Sequence, residues 1–118
     1  MLLRPYAKDI IAEVTFLPPE EGGRKVPPAN GYRPTFVYNN QHFISSLWFE
    51  GNEIPAFPGP VIVFFEFFRP EHHLGKLIPG KEFELWEGQV VARGRVLEIV
   101  NLEKSASRRL EQRTREAK

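Results

Sequence analysis

Three histidines and a scatter of carboxylates are the side chains here whose types suit catalysis or metal binding, and their spacing argues against both. His72 and His73 are adjacent, so on an extended segment they point to opposite sides and do not converge on one ion, while His42 lies far upstream. Glu66, Glu82, Glu84 and Glu87 could serve as acid and base only if a pocket gathered them. They fall instead on segments that read as solvated strand faces. There is no cysteine, so disulfides, thiolate ligands and thiol nucleophiles are excluded, and a reducing cytoplasmic setting is expected. No Gly-x-x-x-x-Gly-Lys-Ser/Thr run supplies a phosphate cradle. The expectation is a chain without catalytic residues, metal or cofactor, one that acts by binding.

Binding chemistry is better represented. Arg24 follows Glu20-Glu21-Gly22-Gly23, where a neighbouring carboxylate would brace it, and Arg33 precedes Pro34 in a tight loop where backbone carbonyls would hold it. Trp48 and Trp86 could stack on nucleic-acid bases, but in so aromatic a chain they are expected to pack at the core or its rim.

The elements that must position these groups are short strands. Eleven Pro and nine Gly interrupt any long helix, and ten Phe provide bulky apolar area for one compact core. Strands are expected at 10–17, at 35–38 and 42–49 as a hairpin around Asn39-Asn40-Gln41, at 61–68, at 82–86 and at 89–100. The loop at 24–34 would be packed by Val26 and Tyr32. About six strands at this spacing favour an all-β, six-stranded antiparallel closed barrel, since closure removes exposed edges. The barrel is assigned to 1–102 and a basic tail to 103–118, the tail forming a frayed helix or none because Leu110 is its one large apolar residue. Formal charge divides unevenly: ten Lys or Arg stand against twelve Asp or Glu in 1–102, and six against three in 103–118. A slightly acidic body is a poor general polyanion binder. The N-terminus lacks a secretory pattern, and the longest apolar run, Val61 to Phe65, is far too short for a membrane span.

Read in order, Ala12-Glu13-Val14, Glu20-Glu21-Gly22-Gly23-Arg24, Pro27, Asn30-Gly31-Tyr32-Arg33-Pro34, Phe36, Pro58-Gly59, Arg69-Pro70, Gly75, Glu87-Gly88 and Val90-Val91 with Gly94-Arg95-Val96 resemble the C-terminal domain, the third, of translation elongation factor Tu. The resemblance covers roughly residues 5 to 100 and implies the same six-stranded barrel, here without the GTPase domain. It implies tRNA T-stem contacts from Arg24, Arg69, Glu87 and Gly88. Thr35 stands where the family has Gln, and Asn39-Asn40-Gln41-His42 replaces its Thr-rich hairpin.

The long strand differs from the family on its outward face, where Ile62, Phe64 and Phe68 would make an apolar patch of interface size if exposed together. That patch would hold a partner protein or a second copy, or be covered by the chain's own loop or tail helix. A protein-protein interaction module is therefore the leading expectation, with a weak tRNA-binding module linked to translation as the alternative, and no membrane association is expected.

Overall fold

The computed structural model describes residues 8–50 and 59–116. Strand β1 (Ile10–Phe16) buries every second residue, placing Ile10, Ala12, Val14 and Phe16 inward. Pro18-Pro19 ends it, and a short 3-10 turn follows at Pro19–Glu21. Strands β2 (Thr35–Tyr38) and β3 (Gln41–Phe49) form a hairpin whose loop is Asn39-Asn40, with φ of 51° and 60°. Two consecutive left-handed residues make the tight turn whose twist matches paired strands, so Gln41 joins β3 instead of lengthening the loop. Strand β4 (Gly59–Phe67) is the long apolar one, and β5 (Glu82–Trp86) and β6 (Val90–Ile99) close the structure.

The strand order is β1-β4-β3-β2-β5-β6, returning to β1, with every pair antiparallel: a closed six-stranded barrel, as expected. Strand β1 lies between β4 and β6, with Ile10 opposite Phe65 and Ile99, and Phe16 opposite Gly59 and Ala92. This register defines two ends. At the upper end β1 begins and β4 and β6 finish; at the lower end β1 and β3 finish and β5 turns into β6.

Aromatic rings fill the lumen. Phe36 stacks on Phe83 at 4.2 Å between centroids and meets Phe65 and Phe67 edge-on at 5.1 and 5.0 Å. Room for Phe83 comes from Gly94 opposite it, where an added Cβ would sit 2.3 Å from the ring. The upper end is stoppered by His73, fully buried in the 3-10 turn Pro70–His73, its Nδ1 bonded to the Tyr38 hydroxyl at 2.7 Å.

Strand β6 leads into helix α1 (Leu102–Glu116). Val100 and Asn101 donate their N–H groups to the carbonyls of Asp9 and Lys8, at 3.0 and 2.9 Å, which fixes the junction. The tail is a docked helix and not a frayed one, because its apolar anchor is Leu102, just ahead of the expected tail, together with Ala106; both are buried, while Leu110 is exposed. Ser105 donates its hydroxyl to buried Asp9. No helix among the described residues is long and apolar enough to cross a membrane.

Candidate functional site

At the lower end two loops far apart in sequence meet. The turn after β1 reverses at Gly22, whose φ is +97°, and passes so close to the end of the strand that a Cβ on Gly23 would lie 1.8 Å from the Leu17 carbonyl oxygen. This reversal delivers Arg24. From the other side, Glu87-Gly88 turns β5 into β6, with the Glu87 N–H bonded to the Gln89 carbonyl at 2.9 Å and Gly88 at φ 76°. The Gln89 side-chain amide then donates to the Gly22 carbonyl at 2.6 Å, stitching the loops together.

Between them, the Arg24 guanidinium and the Tyr32 hydroxyl both donate to Glu87 Oε1, at 2.5 and 2.6 Å. The guanidinium also lies 4.7 Å from the Tyr32 ring centroid, and its Nε donates to the Val26 carbonyl at 3.2 Å. The Tyr32 hydroxyl, helped by Arg24, holds the Glu87 carboxyl below its usual range. Burial and the bond to Glu87 push the Tyr32 hydroxyl up. Of the four residues tied to tRNA by resemblance, Arg24, Glu87 and Gly88 are thus brought together. Arg69 is not, because it follows β4 at the upper end, a strand length of roughly 25 Å away. Arg24 is braced, but by Glu87 and not by the nearby Glu20 or Glu21.

The apolar face of β4 is divided. Ile62 is 39% and Phe68 53% exposed, but Phe64 between them is only 6% exposed. The Phe64 ring stacks on Trp48 at 6.5 Å, and the Lys8 ammonium lies 4.7 Å from its centroid. The single patch expected from the sequence therefore loses its middle residue, because long amphipathic side chains lie over aromatic rings. Val26, expected to pack its loop, is instead 60% exposed.

Above this face, α1 and the β3–β4 sheet enclose a groove of about 520 Å³. Its apolar part is Phe68 and Ile44, neighbours through a 3.2 Å bond from the Phe68 N–H to the Ile44 carbonyl, with Ile44 60% exposed. Its cationic part is Arg33, Arg108 and Arg109. The Arg109 guanidinium lies 5.4 Å from the Phe68 ring centroid, and its Nε is buried without an acceptor. Arg33 and Arg108 form no hydrogen bond or ion pair among the described residues, so Arg33 is not held by loop carbonyls as expected. Sequence reading missed Arg108, Arg109 and Ile44, because their meeting depends on where α1 docks.

The groups first considered for catalysis are otherwise engaged. His73 is inside the core, and burial pulls its pKa down to about 4. His42 packs edge-on against half-buried Trp86, and Trp48 is likewise half-buried, so both indoles are rim packing. Glu84 and Glu13 face Arg93 and Arg95 at 3.7 and 3.9 Å across a second, open concavity. Among the described residues no three His, Asp or Glu side chains gather as a metal site requires. Neither the models of known protein families nor the curated proteins include a match to this chain.

Proposed function

We propose that this chain is a non-catalytic binding module related to the C-terminal domain of elongation factor Tu, and that it holds another protein in the cytoplasm. The observation that carries this reading is the pairing of Arg24 with Glu87. A guanidinium already bonded to a carboxylate offers a phosphate little net charge, and Arg69 is too distant to act with it. By contrast, Arg33, Arg108 and Arg109 lie beside exposed Ile44 and Phe68, a mixture of apolar and cationic groups that suits a protein surface. Paired carboxylates and a buried histidine favour binding over acid–base chemistry.

Weak recognition of a tRNA T stem is the second reading. It is favoured by the convergence of Arg24, Glu87 and Gly88, together with Tyr32, at one end of the barrel. One pair of measurements separates the two. On the protein reading, full-length chain used as bait in nuclease-treated extract of its own cells retains a stoichiometric protein partner, and the complex re-forms from purified components. Purified tRNA then shows no shift at low salt. If instead tRNA binds, with an affinity that falls steeply with salt and weakens on Arg24→Ala, the protein reading gives way to the RNA one.

A further inference from the structure

The groove between α1 and the β3–β4 face has two halves of different chemistry. On the sheet side, Phe68 and Ile44 present adjacent apolar surface; on the helix and loop side stand Arg33, Arg108 and Arg109. A volume of about 520 Å³ falls within the ~300–1,000 Å³ of clefts that take small ligands or a few side chains. The carboxylates lining it have partners of their own. Asp9 is fully buried and already accepts bonds from the Phe67 N–H and the Ser105 hydroxyl. Glu66, on the β4 side, has an interaction of its own as well.

We propose that this groove docks a short segment of a partner protein in which carboxylates flank one aromatic or large aliphatic side chain. The apolar side chain sits on Phe68 and Ile44, and the carboxylates meet Arg108, Arg109 and Arg33. The inference rests on the binding-module reading and specifies the chemistry of its partner. Charge complementarity selects this occupant. Three guanidiniums call for anionic acceptors, with which they pair in a bidentate fork, and the apolar floor beside them calls for an apolar side chain between those anions, which a peptide carrying carboxylates supplies. An RNA backbone fits less well, since a polar strand would lie against the exposed Ile44 and Phe68.

The test uses the full chain and three labelled probes: a decapeptide with a central Phe between Asp and Glu residues, the same peptide with Ala for Phe, and an RNA hairpin. Fluorescence anisotropy should show the Phe peptide binding in the micromolar range and the Ala peptide at least tenfold more weakly. Amide shifts should be confined to residues lining the groove. Arg108→Glu, at an exposed residue with no ion pair among the described residues, should lower affinity with an unchanged thermal midpoint, and Arg108→Glu with Arg109→Glu should lower it at least tenfold. Phe68→Ala should do the same, while Arg109→Lys should restore part of it. Equal binding of the two peptides, no binding at millimolar peptide, or RNA binding through the same arginines more tightly than the peptide overturns the proposal. A solution dimer that Phe68→Glu dissociates also overturns it, assigning the groove to a second copy. If the partner captured from extract stays bound to the Arg108→Glu, Arg109→Glu variant, the groove is wrong and the binding-module reading survives. If wild type captures none, that reading fails on its own account.

Discussion

Gly23 is where a single missing Cβ matters most in the lower-end loop. Its neighbour Gly22 needs a left-handed backbone, but Gly23 needs space, because the chain doubles back onto the Leu17 carbonyl. An added methyl would strike backbone, which cannot swing aside as a flexible side chain can. Gly23→Ala should therefore cost roughly 2–4 kcal/mol by overpacking and should displace Arg24 from Glu87. Denaturant unfolding reads the first effect and a change in the NMR resonances of the Arg24 and Tyr32 side chains the second. A variant with wild-type stability would show that the loop relaxes freely and that Arg24 is not held by this turn. Arg24 is legible in the sequence as a side chain needing a carboxylate. Its partner is not, because Glu20 and Glu21 are near in sequence while Glu87 is near only after β1 and the β5–β6 turn meet at one barrel end.

The elements show the same division between local and long-range signals. Strand β4 announces itself by alternation, and its inward set of Val63, Phe65 and Phe67 is buried as that pattern requires. Phe64 breaks the pattern because burial on the outer face depends on Lys8 and Trp48, from other segments. Helix α1 has few apolar residues, yet two anchors, Leu102 and Ala106, suffice once it is latched by a polar contact. That contact is Ser105 to Asp9, whose other oxygen accepts the Phe67 N–H at 2.8 Å. Ser105→Ala leaves a buried carboxylate oxygen short of a donor, at a cost of about 1–3 kcal/mol. The cost should fall on the helix first. Hydrogen exchange should quicken in α1 while β4 amides keep their protection. Uniform acceleration across both would mean that the latch stabilises the barrel as a whole and not the docking of α1.

For the whole molecule, two buried groups at the upper end oppose one another across acidic pH. Burial pushes the Asp9 carboxyl up to about 6 from 3.8, with the bonds from Phe67 and Ser105 pulling the other way. A folded-state value above the unfolded one contributes stability that is complete below pH 3.8 and is lost as pH rises through 6. Burial first, and then the charges of His72 and Lys76, pull His73 down to about 4 from 6.5. Its contribution has the opposite sense: complete above pH 6.5 and lost as pH falls through 4. Each gap corresponds to roughly 3 kcal/mol, and the windows overlap, so their slopes nearly cancel between pH 4 and 6. Wild type should therefore have an almost level thermal midpoint over that range. Asp9→Asn keeps an acceptor for the Phe67 N–H and gains a donor toward Ser105, but removes the titration. Its midpoint should exceed wild type by several degrees at pH 7.5 and decline steadily from pH 6.5 to 4, exposing the cost of protonating His73. His73→Gln, which can still bond the Tyr38 hydroxyl, should show the reverse slope, gaining stability as pH falls from 6 to 4. Parallel midpoint curves for wild type and Asp9→Asn from pH 4 to 7.5 would mean that Asp9 stays ionised in the folded barrel, and that water or a nearby cation reaches the foot of α1.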